Sequence, residues 1–269
     1  MSLRRWGIPL AGLGMVLGSV AAAGTAAAAP AAHQAAVTHV IRPAGHLIRP
    51  GGHGTRPLTA HGGPANAAQS TNWSGYAASG GNGSYKSVSA NWTEPTGICN
   101  GGSQYSSFWV GLDGYNSGSV EQTGSEMDCA GRTPQYYSWY EMYPAYPVNF
   151  SNTVRPGDHF TASVTFSGGT YTLKLSDTTQ GWSRTVHKTG SYANSSAEVI
   201  AEAPSSTSGV LPLAHFSPVT FTGATADGSA IGNHSPTEIV MVDSAGRQKD
   251  SISSLSGGTT FTATWDRSN

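Results

Sequence analysis

The chain has 269 residues, of which only 11% are charged, with fourteen Lys and Arg against fifteen Asp and Glu, nine His and two Cys. Arg4, Arg5, Arg42, Arg49 and Arg56 all precede the first acidic residue, so the remainder carries nine basic against fifteen acidic side chains, a net of −6. An acidic body argues against nucleic acid as a partner, and two cysteines alone cannot build a structural zinc site.

Residues 1–29 read as a secretory signal: Arg4 and Arg5 open it, an apolar stretch runs from Ile8 to Ala23, and small residues lead to an Ala-x-Ala type cleavage site at Ala28 and Ala29. No later segment approaches the ~20 unbroken apolar residues of a membrane span, so the mature form is expected to be extracellular and free of membrane. Residues 30–67 contain no acidic and no aromatic residue and read as a basic prosegment. A seven-residue repeat places His39, His46 and His53 three residues before Arg42, Arg49 and Arg56, each arginine followed by proline, which rules out a coiled coil. This leader is expected to lie over the acidic body and to leave it as the carboxylates protonate.

Residues 68–269 suffice for one domain. Their apolar residues alternate with polar ones, the signature of strands facing a core on one side. Val88, Ala90 and Trp92 form one such run. Phe160, Ala162, Val164 and Phe166 form another, which turns at Gly168-Gly169 and returns through Tyr171, Leu173 and Leu175 as a hairpin. Ile239 with Met241, and Phe261 with Ala263 and Trp265, repeat the pattern near the C-terminus. The prediction is an all-β, antiparallel sandwich of two packed sheets, lectin-like in architecture. Cys99 and Cys129 are expected to form one stabilising disulfide in an oxidising compartment.

Several hydrolase signatures are missing: a Gly-x-Ser-x-Gly elbow, a His-Glu-x-x-His zinc helix, a cysteine with a catalytic partner, and paired Asp-Thr-Gly loops. The body retains only His159, His187, His215 and His234, scattered singly, so carboxylates are the remaining candidates for chemistry. No metal or other cofactor is expected.

Three segments taken together resemble the glutamic peptidases, also called eqolisins. The first is Phe108-Trp109-Val110-Gly111-Leu112-Asp113-Gly114 followed by Glu121-Gln122-Thr123-Gly124. The second is Ser138-Trp139-Tyr140-Glu141-Met142-Tyr143-Pro144, and the third is Ser196-Ala197-Glu198-Val199-Ile200-Ala201-Glu202. Asn72-Trp73-Ser74-Gly75-Tyr76 matches the family's mature start, and residues 214–221 resemble a later strand. The resemblance implies a sandwich whose catalytic glutamine is Gln122 and whose catalytic glutamate is Glu202, both on the concave face of one sheet. Val199, Ala203, Ser125 and Glu126 depart from the residues common at those positions in the family.

Alternation puts Glu198, Ile200 and Glu202 on one face of a strand, and Val120, Gln122 and Gly124 on one face of another. In the expected mechanism Glu202, titrating near the ordinary ~4.3, takes a proton from water and returns it to the leaving amine, while the Gln122 amide stabilises the oxyanion. Trp73, Trp139 and Glu141 are expected to line the cleft, and Gly124 to leave room for substrate backbone. Asp113, in a Gly-flanked turn, is as well suited to holding backbone as substrate. The expected activity is that of a secreted, monomeric, pepstatin-insensitive acid endopeptidase acting on polypeptides. Two rivals remain: a sandwich glycoside hydrolase using Glu198 and Glu202, whose Cα atoms would stand ~13 Å apart along one strand, and a non-catalytic lectin-like binding module.

Overall fold

The computed structural model describes residues 67–206 and 208–269. The segments read as signal peptide and prosegment, with their His/Arg/Pro repeat, lie outside these residues. In chain order the strands are β1 (Ala68–Ser70), β2 (Trp73–Ser79), β3 (Ser87–Thr93), β4 (Ser103–Leu112), β5 (Val120–Ala130), β6 (Thr133–Tyr143), β7 (Val148–Asn149), β8 (His159–Ser167) and β9 (Thr170–Asp177). There follow β10 (Trp182–Thr189), β11 (Ser196–Glu202), β12 (Ser205–Ser206), β13 (Gly209–Val210), β14 (Val219–Ala226), β15 (Ser229–Ala230), β16 (Thr237–Met241), β17 (Asp250–Ile252) and β18 (Phe261–Trp265). Among the described residues the one helical turn is a 3-10 segment, Ile231–His234.

Two large sheets pack face to face. The first runs β1-β16-β2-β11-β4-β5-β6-β7 and the second β10-β9-β8-β3-β14-β18-β17. Every pairing is antiparallel except β1 with β16. The expected hairpin is present, with Ser167 opposite Thr170 across Gly168-Gly169, and each sequence-predicted alternating run falls on a strand. Both turn glycines have positive φ, the backbone twist that suits a two-residue turn between twisted strands.

Between the sheets lies the larger core. The first sheet supplies Tyr76, Phe108, Val110, Leu112, Met127 and Val199; the second supplies Val88, Trp92, Phe160, Val164, Leu173, Phe221 and Phe261. Each such side chain, fully buried, contributes roughly 1.5–3 kcal/mol. The Trp92 indole N–H donates to Ser125 Oγ at 2.9 Å, one polar link across this layer. Cys99 and Cys129 are bonded, with Cα atoms 5.4 Å apart, and tie the β3–β4 connection to the end of β5.

The opposite face of the first sheet carries a second apolar cluster that includes Trp73, Trp109, Trp139, Tyr143, Val120 and Ile200. Strands β2, β4, β5 and β11 are therefore covered on both sides. Gly75 makes this possible at the centre: its φ is +133°, and a Cβ there would stand 2.2 Å from the Val199 carbonyl oxygen.

Several carboxyl groups are buried within this architecture. Burial pushes Glu94 up to about 8 and Glu121 up to about 9. Asp250 rises to about 7, again through burial, although it accepts a short hydrogen bond from Ser74 Oγ and has Lys249 beside it.

Two stability measurements follow. Gly75→Ala is expected to lower the unfolding free energy by about 2–3 kcal/mol in urea denaturation. Gly118, whose Cβ would meet nothing within 4 Å, provides the control, with Gly118→Ala within about 0.5 kcal/mol of the parent. For pH, the folded values of Glu94, Glu121 and Asp250 lie above the unfolded ~4.3 and ~3.9. Their contribution is thus fully present below about pH 4 and is lost as pH rises towards 7–9. The thermal midpoint is expected to fall from pH 4 to pH 8, and Glu94→Gln with Glu121→Gln to flatten that fall. A midpoint that climbs over this interval contradicts the assignment.

Candidate active site

Strand register fixes which side chains share the outer face of the first sheet. Across β2, β11, β4, β5 and β6, one row reads Ala77, Glu198, Gly111, Gln122 and Glu141. The next reads Gly75, Ile200, Trp109, Gly124 and Trp139, and the third Trp73, Glu202, Ser107, Glu126 and Tyr137. The face thus holds Glu126, Glu141, Glu198 and Glu202, and these rows contain no basic residue.

Glu202 ends β11 and is fully buried. Its Oε2 accepts from the Trp109 indole N–H at 2.8 Å, and its Oε1 from Asn72 Nδ2 at 3.2 Å. Trp73 stands beside it, packed edge-on against Trp109 with ring centroids 5.0 Å apart. Burial raises the Glu202 carboxyl to about 8, against the opposing pull of the Trp109, Trp73 and Asn72 donors, which favour the anion. The sequence-based value near 4.3 does not describe this group while it is buried.

Gln122 is also fully buried. Its Nε2 donates to Glu141 Oε2 at 2.7 Å, directly across from it on β6. Its Oε1 has no hydrogen-bond partner among the described residues. Gln122 and Glu202 are not in contact. They lie two strands and four residues apart, roughly 10 Å across and 13 Å along the sheet at their Cα atoms.

The other expected site residues divide by face. Trp139 lies on the site face with its indole N–H unpartnered among the described residues, and Trp73 and Glu141 join it there. Gly124 sits between Trp109 and Trp139, where a Cβ would meet the Phe108 carbonyl oxygen at 2.2 Å and Trp109 Cβ at 2.6 Å. Its missing side chain is therefore already required by the neighbouring strand, independently of any substrate. Asp113 holds backbone: with φ +68° it accepts from the amide N–H groups of Asn194 and Ser195 at 2.6 and 2.8 Å and anchors the approach to β11.

Glu198 faces the same side as Glu202, with Ile200 between them, and its carboxyl is raised well above the ordinary range by burial and by Asp113 and Glu121 nearby. Among the described residues no cluster of His, Cys, Asp and Glu is placed to hold a metal ion. No described helix is long and apolar enough to cross a membrane.

Two residues that contact Glu202, Trp109 and Asn72, stand within the quoted motifs, but sequence reasoning gave them no role. Alternation alone places Trp109 on a face; it does not say that β11 lies beside β4.

Comparison with known proteins places this face in context. Aspergillopepsin-2 of Aspergillus niger is 32% identical over 146 residues, which is 51% of this chain and 51% of that protein, so the match spans about half the length of the relative. The crystal structure of scytalido-glutamic peptidase with a transition state analog inhibitor superposes with a TM-score of 0.63 at 26% identity, over 73% of this chain and 98% of that one. SCP-B, an eqolisin peptidase in complex with the tripeptide Ala-Ile-His, gives a TM-score of 0.60 at 25% identity over the same shares. The model of the Peptidase A4 family matches residues 71–265, a span that takes in both sheets and all three rows of the site face. The chain belongs to that family, the glutamic peptidases or eqolisins.

Proposed function

We propose that the chain is a secreted acid endopeptidase that hydrolyses peptide bonds with Glu202 and Gln122. The observation that carries the reading is the presence, on one sheet face, of a carboxyl held by neutral donors and a carboxamide held by the Glu141 carboxyl. Family membership and the peptide ligand of SCP-B support it.

The reading requires the two groups to be drawn onto one substrate carbonyl, since their Cα atoms stand roughly 10 Å across and 13 Å along the sheet from one another. Ionised Glu202 removes a proton from water, and the water oxygen attacks the scissile carbonyl carbon. The resulting oxyanion takes a hydrogen bond from the Nε2 hydrogen that Glu141 does not use. Protonated Glu202 then delivers its proton to the departing amine as the C–N bond breaks, and the carboxylate is restored. Trp139 offers its indole N–H to a substrate carbonyl, while Trp73 closes the Glu202 side.

Hydration and charge are coupled at Glu202. Burial is the largest cause of its raised pKa; the Trp109 and Asn72 donors favour the anion, and a water that reaches the carboxyl favours it further. Glutamine keeps its donor and acceptor at every pH, which fits an acid enzyme. A mechanism without paired aspartates, nucleophilic serine or metal is insensitive to pepstatin, serine reagents and chelators.

The glycosidase reading is disfavoured by Ile200 between Glu198 and Glu202 and by the family match. Secretion is supported by the apolar leader and by the Cys99–Cys129 bond. The leader's five histidines and three arginines in residues 30–67 complement a face with four glutamates, which supports an inhibitory prosegment.

Glu202→Gln is expected to abolish casein hydrolysis at acid pH while leaving the thermal midpoint near that of the parent, and Gln122→Ala to lower kcat by about 10²–10³. Glu198→Gln, an isosteric replacement, is expected to retain measurable turnover. Normal hydrolysis by purified Glu202→Gln would sink the mechanism. For the leader, processing of the proform is expected to accelerate as pH falls through ~4 and to do so equally when His39, His46 and His53 are replaced by Ala. A rate that is flat from pH 7 to pH 3 removes the case for a pH-gated prosegment.

A further inference from the structure

We infer that Glu141 is a positioning residue, which sets the Gln122 carboxamide with its nitrogen towards β6 and so fixes which of its two ends each reacting group meets. The inference rests on the proposal that Gln122 takes part in catalysis.

A carboxamide has two ends of nearly equal size, a donor and an acceptor, and steric packing distinguishes them poorly. Gln122 is fully buried, and the space above Gly111 beside it is occupied by the Trp109 ring, so packing holds the side chain without telling its two ends apart. Along its own strand Val120 lies two residues back, and Glu141 stands directly opposite on β6. Valine offers no polar atom. Glu141 offers only acceptors when ionised, and its Oε2 lies 2.7 Å from Gln122 Nε2, with both side chains fully buried. Turning the amide over would bring Gln122 Oε1 against that oxygen, two acceptors at hydrogen-bonding distance in a dry place, which the structure cannot relieve with solvent.

The consequence is specific. One Nε2 hydrogen is committed to Glu141, the other is left for the oxyanion, and Oε1, unpartnered among the described residues, is left to accept from the attacking water. Glu141 thus acts on the reaction through Gln122, not as a wall of the cleft.

The test is a double-mutant cycle on a fluorogenic peptide at acid pH, with kcat and KM measured separately. Glu141→Leu is expected to lower kcat about tenfold to a hundredfold with KM within about threefold, while Glu141→Gln, whose carboxamide can present either end to Gln122, recovers only part of the loss. In the Gln122→Ala background Glu141→Leu is expected to cost nothing further. Should Glu141→Leu fail to fold, Glu141→Asp draws the oxygen back along the same line with the charge kept, and the same fall in kcat is expected. A loss of equal size in both backgrounds, or a change confined to KM, overturns the inference by assigning Glu141 a direct contact with substrate. Full activity of both Glu141→Leu and Glu141→Asp beside an impaired Gln122→Ala overturns it while leaving the dyad intact. Full activity of Gln122→Ala itself removes the dyad reading instead.

Discussion

The two-residue alternation of side chains along β4, β5, β6 and β11 is the constraint on which the rest depends. Each of these strands has to satisfy two environments at once, a dry inter-sheet core on one side and a chemical face on the other. In β11 the sequence Ala197, Val199, Ala201 serves the core, and Glu198, Ile200, Glu202 serves the face. A slip of one residue would send both glutamates into the packing between the sheets and expose the small apolar residues instead. Core and site are therefore specified by the same register, and neither can drift without the other.

A site built on such strands is rigid but dry, and dryness shapes its electrostatics. Several interior carboxyls are held by neutral donors, while Asp250 also has Lys249 beside it. For Glu202 the donors are the Trp109 indole and the Asn72 amide, groups that hold the anion without adding a positive charge that would itself have to be desolvated. The same choice recurs at Asp113, whose partners are backbone amides and serine hydroxyls. Acid conditions favour this strategy, because a carboxyl that is buried neutral carries no penalty until the medium approaches neutrality.

Much of this was legible in the sequence, because strand alternation is local. The hairpin at Gly168-Gly169 and the two-faced pattern at Glu198–Glu202 each span a few residues and need no partner to be read. What could not be read is register between distant strands. Asn72 meets Glu202 across 130 positions, and Trp109 meets it across 93; nothing local announces either bond. Glu141 was visible as a polar residue between aromatics, but its role depends on standing opposite Gln122 and not one position to either side. Gly124 shows the converse: its lack of a side chain was evident, while the carbonyl that fills the space belongs to another strand.

The order of strands in the first sheet sets a timetable for the ribosome. β2 and β4 do not pair with each other; β11 enters between them, although it is made long after both. Gln122 is therefore in place on an emerging chain some 80 residues before Glu202 exists. The sheet is complete only when this late strand is threaded between two early ones and the still later β16 has paired with β2, non-local closures that are slow by nature. Any chain cut short before β11 has Gln122 and Glu141 but not Glu202. A nascent or truncated molecule thus lacks one member of the proposed pair, which arrives only with a strand that enters between two earlier ones.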